Sequence, residues 1–195
     1  MVGTVGTVKK AVALSVVLAA GSTAKAHIIP FFAMLDGPQV VDPTDSLATG
    51  AASIRFDHHG YAIEVKLYLE GIGLDDLKED GPNATPIHIH KAPRGENGPI
   101  VIDLGWWTAT TMEEYEPGRL FVHWEGVFIG GEQGNVYSEF TENEDALYDG
   151  NLYIDVHTNA YPTGEIRGQI FEVPGPGGAA LLALGGVAMA GRRRR

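Results

Sequence analysis

From Ala51 to Glu70 the chain alternates. Ala52, Ile54 and Phe56 are separated by polar or small residues, and His58-His59-Gly60 supplies a turn. Tyr61, Ile63, Val65, Leu67 and Leu69 then alternate with Ala62, Glu64, Lys66, Tyr68 and Glu70. A period of two with one apolar face predicts a β-hairpin that buries one side.

The same signal recurs downstream. Gly71 to Pro86 reads as a polar, acidic connection, Ile87–His90 as a strand, Lys91 to Pro99 as a Gly/Pro loop and Ile100–Leu104 as a further short strand. Leu120, Val122 and Trp124 alternate with Phe121, His123 and Glu125, and Gly130-Gly131 breaks that pattern. Thr141-Glu142-Asn143-Glu144 has the capping-box form, which predicts a short helix starting at Thr141 and closed by Gly150. Leu152, Ile154 and Val156, then Ile166, Gly168 and Ile170, supply two closing strands. Short strands at regular spacing with Gly/Pro turns predict an antiparallel sandwich or barrel. There is no βα alternation and no Gly-rich phosphate loop.

Composition sharpens this picture. The chain has 195 residues, room for one ordinary domain with short appendages. It has no cysteine, which removes disulfides, thiolate metal sites and cysteine nucleophiles. Residues 27–173 hold seven basic and 25 acidic side chains, a net of −18. Such a body does not attract nucleic acid or anionic lipid. No Gly-x-Ser-x-Gly elbow is present, and no carboxylate spacing picks out a glycosidase pair. The balance favours a protein that is not an enzyme.

Both ends read as addresses. In residues 1–26, Lys9 and Lys10 precede the apolar run Ala11–Ala20, and Ala24-Lys25-Ala26 forms an A-x-A site. This order predicts a secretory signal cut between Ala26 and His27 by signal peptidase, so an exported domain without disulfides must be stable on packing alone. Residues 174–195 run from Pro174-Gly175-Pro176 through an apolar stretch, Ala179–Ala190, to Arg192, Arg193, Arg194 and Arg195. A Pro/Gly break, an apolar helix and a basic end predict a short transmembrane stop-transfer segment with its arginines inside. With Val173 this tail resembles the bacterial PEP-CTERM sorting signal, with Val-Pro-Gly-Pro where the name-giving pattern has Val-Pro-Glu-Pro. The resemblance implies transient membrane anchoring, recognition by an exosortase, and a place in the cell envelope, at the cell surface or outside the cell.

Two internal segments carry a second resemblance. One is Ile87-His88-Ile89-His90-Lys91-Ala92-Pro93, followed by Gly95-Glu96-Asn97-Gly98-Pro99. The other runs from Gly150 through Val156-His157-Thr158 to Gly164-Glu165-Ile166-Arg167-Gly168. Together they resemble the CHRD domain, the module repeated in chordin and found singly in exported bacterial proteins, over roughly Phe32 to Phe171. Gln39 fits the family's opening, but Val40 stands where Glu is usual. The resemblance implies that residues 27–173 form an immunoglobulin-like β-sandwich of undefined biochemical activity. Gly164, Glu165, Arg167 and Gly168 are its structural signature. The main functional expectation is a non-enzymatic surface or matrix module that binds a protein or polysaccharide.

The histidines offer an alternative. His88 and His90 are two apart on a strand and share a face. His157 lies on a later strand, opposite the Leu152, Ile154 and Val156 face. Convergence of the three would suit copper or zinc. The arrangement echoes the sandwich of Cu/Zn superoxide dismutase, with possible oxidoreductase chemistry, although no full copper set, bridging histidine or zinc aspartate is identifiable. Without metal, such histidines bond loop carbonyls and fix strand register. Asp155 shares a face with His157 and is placed to orient its ring. Glu165 and Arg167 can pair, or Arg167 can accept an anion, but the structural role is favoured, since Arg clamps loop carbonyls and carboxylates. His123 reads as a lone strand residue, His58 and His59 as solvated turn residues, and Glu142, Glu144 and Asp145 as a solvated helix face. His27, as a mature N-terminus, would offer its amine and imidazole to copper. Trp106, Trp107 and Tyr115 form a candidate aromatic patch or a loop plug.

The N-terminal reading makes one direct prediction. Mass spectrometry of the exported form should show a chain beginning at His27. An intact Met1 terminus recovered from the envelope would contradict it.

Overall fold

The computed structural model describes residues 28–78, 86–104, 109–129 and 137–174. Strand β1 (Ile28–Asp36) lies at the middle of the sheet. On one side it pairs along its whole length with β2 (Thr49–Asp57). The predicted hairpin is β2 with β3 (Ala62–Glu70), in continuous register from Thr49↔Glu70 to Asp57↔Ala62. Strand β7 (Arg119–Phe128) follows β3, and β6 (Ala109–Glu116) forms the edge of this arm.

The second arm holds β4 (Ile87–Lys91), β5 (Ile100–Asp103), β8 (Leu152–Val156), β9 (Ile166–Gln169) and the two-residue β10 (Phe171–Glu172). Its order is β5-β4-β8-β9, and β9 then meets β1. The seam keeps one register, with Asp36↔Arg167, Phe32↔Phe171 and Phe31↔Glu172. Gly168 explains how the two backbones come so close. A Cβ there would lie 2.6 Å from the Met34 carbonyl oxygen and 2.8 Å from Leu35 Cγ.

The sandwich-like all-β fold expected from the sequence is present, and this seam joins its two arms. The described strands are antiparallel as predicted, but they form one continuous curled sheet whose arms enclose a single core. The alternating residues identified in the sequence line the inner face. Ile54, Phe56, Val65, Leu67, Leu69, Leu120, Val122 and Trp124 are all buried. Full burial of each aliphatic side chain contributes about 1.5–3 kcal/mol. Strand β6 gave no sequence signal because it is a wet edge. Thr111, Glu113 and Tyr115 are exposed, and Met112 packs on the core.

Helix α1 (Tyr137–Tyr148) begins before Thr141, so the predicted capping box lies inside it. Ala146 and Leu147 are buried, and the Tyr148 ring meets Phe31 and Phe56. Its C-terminus follows the prediction. Gly150 has φ +70, Asn151 N–H bonds the Ala146 carbonyl and Gly150 N–H bonds that of Leu147, the Schellman pattern.

Other expectations change in detail. Glu144 is buried and pairs with His58 Nδ1, so neither the solvated helix face nor the solvated turn holds for this pair. Glu142 and Asp145 are exposed, as is His59. His123 is not a lone residue, because its Nε2 lies 3.0 Å from Glu64 Oε1. Lys66 and Arg55 also bond Glu64, and together these contacts lower its pKa against the effect of burial. Tyr115 is exposed on β6. The signal region 1–26, His27, Trp106, Trp107, Gly130-Gly131, Pro176 and Arg192 to Arg195 lie outside the described residues. Among the described residues no helix is long and apolar enough to cross a membrane.

The seam is testable through its glycine. Gly168→Ala should lower the urea midpoint by the equivalent of about 1–3 kcal/mol, the usual cost of overpacking. An unchanged midpoint would mean that β1 and β9 are not so closely opposed.

Candidate metal centre

The site lies on the outer face of β4 and β8, with its back to the core. Ile87 and Ile89 point inward and are fully buried, so His88 and His90 must point outward. Register then fixes their neighbours, since His88 pairs with Asp155 and His90 with Tyr153. His157 follows β8 by one residue, and its N–H bonds the Pro86 carbonyl at 2.7 Å. The three imidazoles form a triangle with ring centroids 5.1, 5.6 and 6.2 Å apart. One nitrogen of each lies within 4.8 Å of the others, and no carboxylate of the described residues joins the group.

The opposite nitrogens are tied outward. His90 Nδ1 lies 2.9 Å from the Gly98 carbonyl, and His157 Nδ1 lies 3.2 Å from the Pro162 carbonyl. A carbonyl only accepts, so each Nδ1 carries the proton and each Nε2 carries a lone pair. His88 Nε2 lies 3.9 Å from Asp103 Oδ1. His88 Nδ1, His90 Nε2 and His157 Nε2 are all buried from solvent. Burial, with help from nearby Arg167, lowers the pKa of His90 against the effect of its Gly98 bond. A neutral imidazole is the form that ligates metal.

A loop and a stack hold this geometry. Tyr153 lies parallel to His90, with centroids 4.9 Å apart, and Arg167 Cζ sits 3.4 Å from the centre of the Tyr153 ring. Arg167 donates to the carbonyls of Glu96 and Pro93 and to the Gln169 side chain. It is the carbonyl clamp allowed by its chemistry. The guanidinium therefore holds loop 92–99 over Tyr153, and the same loop presents Gly98 to His90. Gly98 has no room for a side chain, because a Cβ would lie 1.9 Å from the Lys91 carbonyl oxygen.

Two expected pairings are replaced. Glu165 does not pair with Arg167. Its carboxylate accepts from Ser46 and Thr158 hydroxyls, which fastens the turn that carries His157 and Pro162. Asp155 does not orient His157 through a hydrogen bond, since the Pro162 carbonyl occupies His157 Nδ1. The Asp155 carboxyl instead packs on Gly164, where φ is +123 and a Cβ would lie 2.7 Å from Oδ1. Burial pushes its pKa up to about 7, opposed by Arg167. Tyr153, Gly98 and Pro162 were not identified from sequence. Tyr153 could have been, from its position opposite His90. Gly98 and Pro162 act through main-chain oxygens, which leave no mark in residue type.

Fold and site together define an all-β domain with a curled antiparallel sheet and a three-histidine cluster on its outer face. The chain belongs to the CHRD-domain family, whose model matches residues 31–170. No curated protein and no solved structure matches it significantly.

The Asp155 environment predicts a pH effect in the metal-free protein. An acid whose folded pKa lies above its unfolded value of about 4 binds more protons folded than unfolded. It therefore costs stability as pH rises from about 4 to about 7. Asp155→Asn should gain on the wild type across that window, by on the order of 2–4 kcal/mol at its upper end. Denaturant titrations of both proteins from pH 4 to 8 would measure the difference. A constant difference across the window would contradict the assignment.

Proposed function

We propose that this CHRD domain is an exported metal-binding module that holds one copper or zinc ion between His88, His90 and His157. The observation that supports this most strongly is the set of three buried imidazole nitrogens within 4.8 Å, two of them with the tautomer fixed by backbone carbonyls. Ligating histidines characteristically donate their second nitrogen to such a group. An all-nitrogen set suits copper and zinc better than the oxygen-seeking calcium or magnesium. The group would supply Lewis acidity or, as copper, one-electron chemistry. The protein would supply fixed donors and a covering loop.

This reading suits a binding role more than catalysis. Among the described residues one three-histidine group is found, which supports a single metal position. The sequence signals at the two ends support a location outside the cytoplasm. Signal peptidase and an exosortase would process it, and its acidic surface would meet a surface or matrix protein or polysaccharide.

Metal analysis of purified residues 27–173 tests the proposal. After incubation with copper or zinc and removal of excess, one equivalent should remain. His88→Ala, His90→Ala and His157→Ala should each weaken binding by at least the roughly 10–100-fold that loss of an outer partner causes, with the fold intact by circular dichroism. Folded protein that retains no metal would leave the histidines as register-fixing residues and the module as a metal-free binder.

A further inference from the structure

The outer face of the sheet at the β1–β10 seam carries a contiguous apolar band. Phe32 and Phe171 are register partners across the seam, with ring centroids 6.3 Å apart. Ile28 and Met34 share the Phe32 face of β1, and Val173 continues the Phe171 face, its N–H bonding the Pro30 carbonyl at 2.9 Å. These five side chains are between 37 and 60 % exposed. Register carries the band further, from Met34 through Ala51 to Tyr68 and Phe121, the last two with centroids 4.8 Å apart. A contiguous exposed band of this kind marks an interaction surface, whereas scattered single residues do not.

The position of the chain end indicates what covers it. Val173 belongs to the band, and the apolar run Ala179–Ala190 starts six residues later. Six extended residues span at most about 20 Å. A segment held in a bilayer from residue 179 thus keeps the band within that distance of the lipid surface. At so short a tether the local concentration of lipid is high, and a weak apolar contact suffices. We infer that the face formed by Ile28, Phe32, Met34, Phe171 and Val173 rests on the zwitterionic interface of the bilayer that takes the C-terminal segment. This rests on reading residues 179–195 as a membrane anchor. Phe and Met burial in the headgroup region supplies the attraction. The net charge of −18 on residues 27–173 disfavours anionic lipid. The contact would orient the domain, holding the Val173-Pro174 junction at the membrane surface.

The chain has no cysteine, so single probes are simple to place. Met34→Cys and, as a control, Asp75→Cys are labelled with an environment-sensitive fluorophore in the chain 27–195. Asp75 is exposed and lies in the 3-10 turn after β3, outside the band. In phosphatidylcholine vesicles the probe at 34 should shift to the blue and lose most of its quenching by iodide, while the probe at 75 should change little. Protein that survives an alkaline wash of the vesicles but keeps a water-like probe at 34 would overturn the inference and leave the anchor reading intact. Protein removed by the wash would defeat the anchor reading and the inference together. A blue shift without vesicles would also overturn it. If the shift depends on concentration, a second copy covers the band. If it does not, the chain's own tail covers it.

Discussion

The buried Arg167 guanidinium is the constraint on which the outer face of the second arm depends. It is 1 % exposed, and burial lowers its pKa, yet it must remain charged. Such a charge is tolerated only where every donor finds an acceptor. Loop 92–99 supplies two acceptors as main-chain carbonyls, the Gln169 side chain supplies another, and the Tyr153 ring supplies a π face. The loop is thus fixed by the needs of one side chain on β9. Once fixed, it delivers the Gly98 carbonyl to His90 and closes over the stacked tyrosine. Removing the guanidinium would loosen a loop that touches the histidine cluster only through backbone atoms.

The sequence carried the arms of the sheet more clearly than the join between them. Period-two alternation in 51–70 and 120–124 follows from side chains that must alternate between core and water, so β2, β3 and β7 were legible. Strand β6 was not, because a largely exposed edge strand has little reason to alternate. The seam was not legible either. It depends on Gly168 admitting a neighbouring backbone, and a missing side chain does not name its neighbour. At the site, the i, i+2 spacing placed His88 and His90 on one face, and the parity of β8 placed His157 on the matching side. The partners of these histidines escaped notice because two of the three are carbonyl oxygens. Asp155 packs on Gly164 and Glu165 bonds hydroxyls, since a shared face sets which groups are near but not which hydrogen bonds win.

The outer face is organised by the same register. A row of partners crosses the nine strands of the main path: Asp103, His88, Asp155, Arg167, Asp36, Thr49, Glu70, Arg119 and Glu116. Its signs largely alternate, which avoids like charges directly opposite one another. The row is half-sunk at the histidine end, where loops cover it, and open to water at the Arg119 end. The same pattern of pairing therefore serves two purposes. Covered, it becomes a polar site with perturbed protonation. Uncovered, it is a soluble sheet surface.

The central place of β1 also orders events in time. The first described strand of the domain finds its second neighbour only in the last, with 131 positions separating Asp36 from Arg167. Closing so long a loop is slow and entropically costly. The β2–β3 hairpin and its β7 neighbour need no residue beyond 128, so one arm can assemble from a partial chain. The histidine arm cannot, because β4 waits for β8 and the seam waits for residues 166–172. Ligand sites built on the later arm exist only when synthesis and folding are complete, whereas the earlier arm must persist meanwhile with one edge of β1 unpaired.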